Sequence, residues 1–184
     1  MTAVATGRQG AGAASPVIET ARLRLVAATL ETATAADAEA LARLLGVAVP
    51  ADWTTADVKD VMPGYAESLR ADPGNLGWGP WFTIAPAEAT IVGNIGFYGP
   101  PSAGGVVEVG YEVFAPYRGR GYATEALRAL IDWAFARGVY RLTARCDPGN
   151  PASIAVLHKA GLTCVERADV WYWAATSCDG EEAR

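Results

Sequence analysis

Apolar and polar residues alternate along VIETARLRLVA, residues 17–27, with the period of a half-buried strand. The period then lengthens. In TATAADAEALARLLG, Thr34 and Asp37 form a capping-box-like signal ahead of Ala38, Leu41, Leu44 and Leu45, which share one helical face. Thr54 and Asp57 repeat that signal before a second helix, which Pro63-Gly64 is expected to interrupt or kink and which ends near ADPG. WFTIA and TIVGNIGFYG read as strands joined by the PAEA turn. PPSAGG leads on into VVEVGYEVF, so these three strands form an antiparallel meander. Over 122–137 Ala123, Ala126, Leu127, Leu130 and Ala134 recur at helical spacing, a stripe that must face a sheet. RLTARCD is a strand, and NPASIAVLHKAGL is a helix opened by Asn150 as cap and Pro151 at its first position. TCVER and VWYWA close the pattern as a hairpin. The order β-α-α-β-β-β-α-β-α-β-β predicts an α/β (α+β) domain, one mixed sheet with helices on both faces.

Composition narrows the function classes. The chain has 184 residues, half of them apolar, enough for one domain with its own core. Its formal net charge of −5 argues against a nucleic-acid surface. Cys146, Cys164 and Cys178 are odd in number and lack CxxC spacing, so neither a disulfide framework nor a metal site is expected. Residues 1–16 are rich in Ala and Gly without an apolar h-region and read as a loose tail; 176–184 read as a polar one, leaving 17–175 as the domain. No apolar run approaches the roughly 20 residues of a membrane helix. A cytoplasmic protein with reduced thiols and no membrane partner is the expectation.

Between the third meander strand and the long helix lies FAPYRGRGYATEAL. A helix's first turn carries unpartnered backbone N–H groups and partial positive charge, which suits an anion if main chain can approach it. Gly119 and Gly121 remove obstructing side chains, and Arg118 and Arg120 can add charge. A diphosphate is the natural guest; a glycine-rich surface turn with solvated arginines is the plainer alternative. Three phosphate turns compete. A Walker A loop is absent, because no Gly-Lys-Ser/Thr occurs. A Rossmann turn would use Gly119 and Gly121, with Asp147 as the ribose-binding acid. It fails on Thr124 at the third glycine position, on the short remaining chain, and on the preceding meander. The third turn is the Arg/Gln-x-x-Gly-x-Gly/Ala of the GNAT acyltransferases, which Arg118, Gly121 and Ala123 match at each fixed position. NPASIAVLHKAGL is similar to the Asn-x-x-Ser…Lys-x-Gly-Phe segment of that family, with Leu162 in the Phe place. The chain thus resembles GNAT N-acetyltransferases over roughly 17–175. ETARLRLVAAT and the kinked helix pair look like the RimJ/RimL-like, ribosomal-protein alanine acetyltransferase branch.

The resemblance implies a mostly antiparallel sheet of about seven strands, splayed in the middle between EVGYEVF and RLTARCD. Acetyl-CoA would be the acyl donor and a primary amine the acceptor: a protein N-terminus, an amino acid or a small-molecule amine. Main chain at Val113 and Phe114 would pair with the pantetheine arm, residues Arg118, Gly119, Arg120, Gly121, Tyr122 and Ala123 would hold the diphosphate, and Asn150 would lie near the thioester. Direct attack gives a tetrahedral intermediate, whose oxyanion the Phe114 N–H is expected to stabilise. An α-amine with pKa about 7.7–8.0 is partly neutral in cells, whereas a lysine at about 10.4 is about 4 kcal/mol away. Glu108 is the expected base: it shares a strand face with Gly110, which leaves room for substrate, and with Glu112, the less favoured choice because the family's cofactor contacts begin beside it. The alternative is a solvent-facing strand carboxylate. Many GNAT enzymes carry an acid tyrosine seven residues after the capping Asn; Leu157 stands there, so Ser153 takes the acid or thiolate-orienting role. His158 is expected to be exposed. Trp53, Trp78 and Trp81 fall in or near segments that form the family's acceptor pocket; edge strands could serve a homodimer. Rival readings are a CoA-binding sensor without chemistry and a nucleotide-dependent oxidoreductase.

Overall fold

One eight-stranded sheet runs through the molecule in the order β1-β2-β3-β4-β5-β6-β8-β7. The structure is a computed structural model describing residues 15–50, 53 and 56–177. Most of the N-terminal tail, Thr54, and residues 178–184 with Cys178 lie outside the described residues. The strands are β1 (Val17–Glu19), β2 (Arg24–Ala27), β3 (Pro80–Ala85), β4 (Thr90–Phe97), β5 (Val106–Val113), β6 (Arg141–Cys146), β7 (Thr163–Arg167) and β8 (Trp171–Thr176). Every neighbouring pair is antiparallel except β5–β6. The extra strand comes from the N-terminal alternation. Thr20 and Leu23 close a tight turn, Thr20 N–H donating to Leu23 O at 2.8 Å, and break it into a hairpin.

The helices are α1 (Leu30–Ala33), α2 (Ala38–Leu45), α3 (Ala56–Ala71), α4 (Tyr122–Phe135) and α5 (Pro151–Ala160). Side-chain direction alternates across the central strands, so each strand serves two cores. On β3, Trp81 joins Val107, Val109, Leu127, Leu130 and Leu157 beneath α4 and α5. Phe82 and Ile84 point the other way, to Leu41, Met62 and Leu69 of α2 and α3. Helices therefore cover both faces.

Several local expectations are corrected. Thr34 does not open α2; its hydroxyl donates to Leu30 O and finishes α1, a helix the apolar pattern does not reveal. Asp37 alone caps α2, accepting from Ala40 N at 2.8 Å. Leu44 is 42% exposed, so the buried stripe of α2 is narrower than its composition suggests. Pro63 does not interrupt α3, which continues from Ala56 to Ala71 with the ring exposed. Among the described residues no helix is long and apolar enough to cross a membrane.

The sheet parts at its centre. β5 and β6 pair only at Val106↔Arg141, Val107↔Leu142 and Glu108↔Thr143. Beyond Glu108, β5 is held by β4 alone and β6 by β8 alone.

Candidate active site

The gap between β5 and β6 has main chain on one wall. At its two ends the β4–β5 ladder is marked by Tyr98 N–H to Glu108 O and Phe114 N–H to Val92 O, at 3.0 and 2.9 Å. Antiparallel alternation then turns the amides of 108, 110, 112 and 114 toward β4; the parallel pair Glu108↔Thr143 takes the amide of 109, and those of 111 and 113 face the gap. Phe114 is thereby corrected: its N–H is spent on Val92, and its ring belongs to the core beneath α3. Val113 is the residue whose N–H faces the opening.

At the foot of the gap begins α4. Gly121 is its N-cap at φ +80°, and Gly119 lies at φ +75°. Both are in the left-handed region, where a side chain strains the backbone, so conformation requires glycine here as well as access. Thr29, Asp37 and Asn150 cap α1, α2 and α5 with their side chains, but no side chain caps α4. Its first N–H groups remain available to an anion. A cleft of about 460 Å³ lies over this corner, bordered by Val113, Arg118, Gly119, Gly121, Tyr122 and Ala123. Arg118 also reaches back, its Nε donating to Val113 O at 2.8 Å. Arg120 does not join them. It pairs with Glu88 at 2.7 Å and lies over the Tyr117 ring, braced on the outside of the turn. From that outer side Arg22 donates to Arg120 O and pairs with Glu125 of α4.

A second cleft of about 480 Å³ opens on the α3 face, between Val61, Asn94, Tyr98, Glu108, Gly110 and Arg145. Tyr111, Glu112, Asn150 and Ser153 border both clefts and form the seam between them. Asn150 Oδ1 accepts from Ser153 N at 3.0 Å, which fixes the first turn of α5 at the seam. Tyr111 rises from β5 to meet it, with 2.8 Å between the Tyr111 hydroxyl and Ser153 Oγ. Burial pushes Tyr111 up to about 12, against the lowering effect of the Ser153 hydrogen bond, so the phenol keeps its proton. Sequence reasoning missed this residue. Tyr111 shares parity with Val107 and Val109 and so reads as core; its hydroxyl, next in line after them on that face and in no linear motif, was the faint signal.

Glu108 borders only the larger cleft, and its Oε1 accepts from Arg145 Nε at 2.6 Å, which raises the guanidinium above its ordinary value. Space over Gly110 is taken by Tyr98, whose hydroxyl would stand 2.8 Å from a Cβ there. The tryptophans are corrected too. Trp81 is fully buried and donates to Gly77 O; Trp53 is buried against Phe82; Trp78 packs on Phe97 and Trp133. None borders the cleft, because burial of the large apolar rings places them between sheet and helices. Leu157 is core and His158 is exposed. Among the described residues no three His, Cys, Asp or Glu side chains converge as a metal site would require.

Comparison with known proteins agrees with this geometry. Residues 24–163 match the family described as Acetyltransferase (GNAT) domain. The chain is 34% identical over 150 residues to the uncharacterized N-acetyltransferase YjdG of Bacillus subtilis (strain 168), covering 79% of this chain and 89% of that protein. Among solved structures it is similar to the ribosomal-protein-S5-alanine acetyltransferase of Vibrio fischeri, with TM-score 0.64 and 17% identity over 90% of this chain and 99% of that one. It is also similar to the microcin C7 self-immunity acetyltransferase MccE in complex with acetyl-CoA and AMP, with TM-score 0.59 and 18% identity over 86% and 94%.

Proposed function

Because the chain belongs to the GNAT acetyltransferase family and is an acetyl-CoA-dependent N-acyltransferase, we propose that it passes the acetyl group directly to a primary amine entering from the 480 Å³ cleft. Protein N-termini, amino acids and small-molecule amines are all within that class. The observation carrying the reading is the seam of Tyr111, Glu112, Asn150 and Ser153, where the two clefts meet.

Acetyl-CoA supplies the activated acyl carbon. The residues around the smaller cleft fit it: the uncapped start of α4 suits a diphosphate, and the inward amides of residues 111 and 113 suit a pantetheine arm laid along β5. Val113 N–H, rather than Phe114 N–H, is aimed to support a developing oxyanion. Glu112 borders both clefts and is suited to take the amine proton. Glu108 stands three residues up-strand from Tyr111, about 10 Å away. As base it would act through water; its contact with Arg145 favours acceptor binding instead. Ser153 is placed to donate a hydrogen bond to the departing thiolate sulfur, and Tyr111 holds that hydroxyl in line. One C–N bond forms, one C–S bond breaks, and the one proton that the carboxylate takes from the amine passes through solvent to the thiolate sulfur.

Thiol release with a panel of amines tests the activity. No turnover with any amine, together with tight acetyl-CoA binding, would favour the sensor reading. Glu112→Gln is expected to lower kcat at least tenfold and move its pH profile toward higher pH, while Glu108→Gln acts mainly on the acceptor KM. The reverse pattern would make Glu108 the base.

A further inference from the structure

Arg22 takes no part in the chemistry above. It stands in the turn between β1 and β2 and does not border the smaller cleft. Its guanidinium is nevertheless fixed on every side. Nε donates to Glu125 Oε2 at 2.7 Å, Nη2 pairs with the same oxygen at 2.6 Å, and Cζ stands 5.1 Å from the centre of the Tyr122 ring. Thr20 Oγ1 and the Arg22 backbone N–H both donate to Glu125 Oε1, at 2.7 and 2.8 Å, so the carboxylate is held as firmly as the arginine. That leaves Nη1, which donates to the carbonyl of Arg120 at 2.8 Å, 98 positions further along the chain. A half-exposed ion pair contributes little by itself, so the arrangement asks for a reason beyond the pair.

We infer that Arg22 is a positioning residue: by holding Arg120 O on the outside of the turn, it aims the Gly121 N–H into the cleft at the place of the diphosphate. The inference rests on the diphosphate reading of the α4 corner. A trans peptide is planar, with C=O and N–H pointing in opposite directions, so the carbonyl of residue 120 and the amide of residue 121 turn together. Gly121 borders the cleft, whereas Arg22 and Arg120 do not. No carbonyl or side chain among the described residues accepts from the Gly121 N–H, so the peptide has no anchor on its inner side. Gly119 and Gly121 flank Arg120, and glycine restrains its backbone least. The outer contact therefore sets the angle of this peptide. An amide already aimed needs no reorganisation when the anion arrives. Arg22 Nη2 also stands 3.4 Å from the place of a Cβ at 121, which closes the outer side of the turn. Arginine suits this task. Its planar fork serves Glu125 and Arg120 O together in one geometry, whereas an ammonium on a flexible stem holds neither in a fixed plane.

Calorimetric titration of CoA, and of pantetheine, which lacks the diphosphate, into the full chain and two variants tests this. Arg22→Met keeps a stem over Tyr122 and removes every side-chain donor; Arg22→Lys keeps the charge beside Glu125. Both are expected to weaken CoA binding about tenfold, as loss of one hydrogen bond to a charged group would, and to leave pantetheine binding unchanged. In turnover the loss should fall on the acetyl-CoA KM, with kcat kept at saturation. At saturating CoA the Gly121 amide should exchange slowly in the full chain and fast in both variants, a change that a looser fold would not confine to one amide. Equal losses for the two ligands would mark a structural brace and overturn the inference. So would unchanged CoA affinity in Arg22→Met, or a Gly121 amide that stays slow in both variants. Full CoA affinity in Arg22→Lys would overturn it as well, since charge alone would then suffice, and that variant carries the test if Arg22→Met fails to fold. Diphosphate-selective binding that depends on Arg22, without turnover of any amine, would instead sink the acetyl-transfer reading and leave this one standing.

Discussion

A single hydroxyl pair separates chemistry from packing in this site. Ser153 was legible from its place three residues after the capping Asn150, but Tyr111 was not, because nothing local ties a strand residue to a helix 42 positions away. Tyr111→Phe is expected to lower kcat about tenfold with acetyl-CoA KM unchanged, and Ser153→Ala to do the same. If the two act as one unit, the double variant is no worse than either alone. Additive losses in a double-mutant cycle would separate them. The high Tyr111 value adds a second signature: no limb from its ionisation should appear in kcat at pH 9 or below. The arginines of the turn show the same limit of sequence reading. Arg118 and Arg120 were both expected to hold the diphosphate, yet only Arg118 borders the cleft, because Glu88 and Tyr117 draw Arg120 outward.

At the scale of the element, the start of α4 works because it is left uncapped. Gly121→Val, the obvious probe, would strain a residue at φ +80° and confuse folding with binding. Gly119→Asn is cleaner, since nothing stands within 4 Å of a Cβ there and Asn tolerates the left-handed region. It should weaken CoA binding about tenfold while leaving pantetheine binding and Tm nearly unchanged; equal losses for both ligands would reject the diphosphate reading. The corner is braced from outside by Thr20 and Arg22 on Glu125. Burial alone would raise the Glu125 carboxyl, but the hydrogen bonds from Thr20 and Arg22 outweigh it and hold the group below its ordinary 4.5. A lowered carboxyl stabilises the fold above its unfolded value and loses that contribution as pH falls through the folded one. Glu125→Gln should therefore lower stability by roughly 1 kcal/mol near neutrality. The gap between the two melting curves should narrow as pH falls below 4.5; a gap that stays constant would remove the brace.

The molecule as a whole is a sheet held closed at one end and open at the other. Three register pairs join its halves, and beyond them each half keeps its own ladder. Hydrogen exchange should report this parity directly. Amides of 111 and 113 should exchange fast in the free protein and slow on binding acetyl-CoA, while those of 110, 112 and 114 stay protected throughout. Protection of 111 and 113 in the free protein would mean that the gap is closed. Element order, the boundaries of β7 and the glycine turn were all readable, since each rests on local periodicity or on a backbone angle that few residues tolerate. The hairpin β1–β2 and the short α1 were not, because one turn and one capping box interrupt the pattern over fewer residues than a period needs.

By itself the sequence determined the shape of the turn that opens α4: it is set by backbone geometry, and backbone geometry is written in glycines and caps. Only the tertiary structure decided which side chains line the larger cleft. Which carboxylate meets the seam, which tyrosine touches Ser153, and why the tryptophans are core while an unpaired Asn94 borders the cleft all follow from strand parity and from the angle at which β5 leaves β6. Those are long-range relations, set by the burial of two opposing cores, and no stretch of chain encodes them alone.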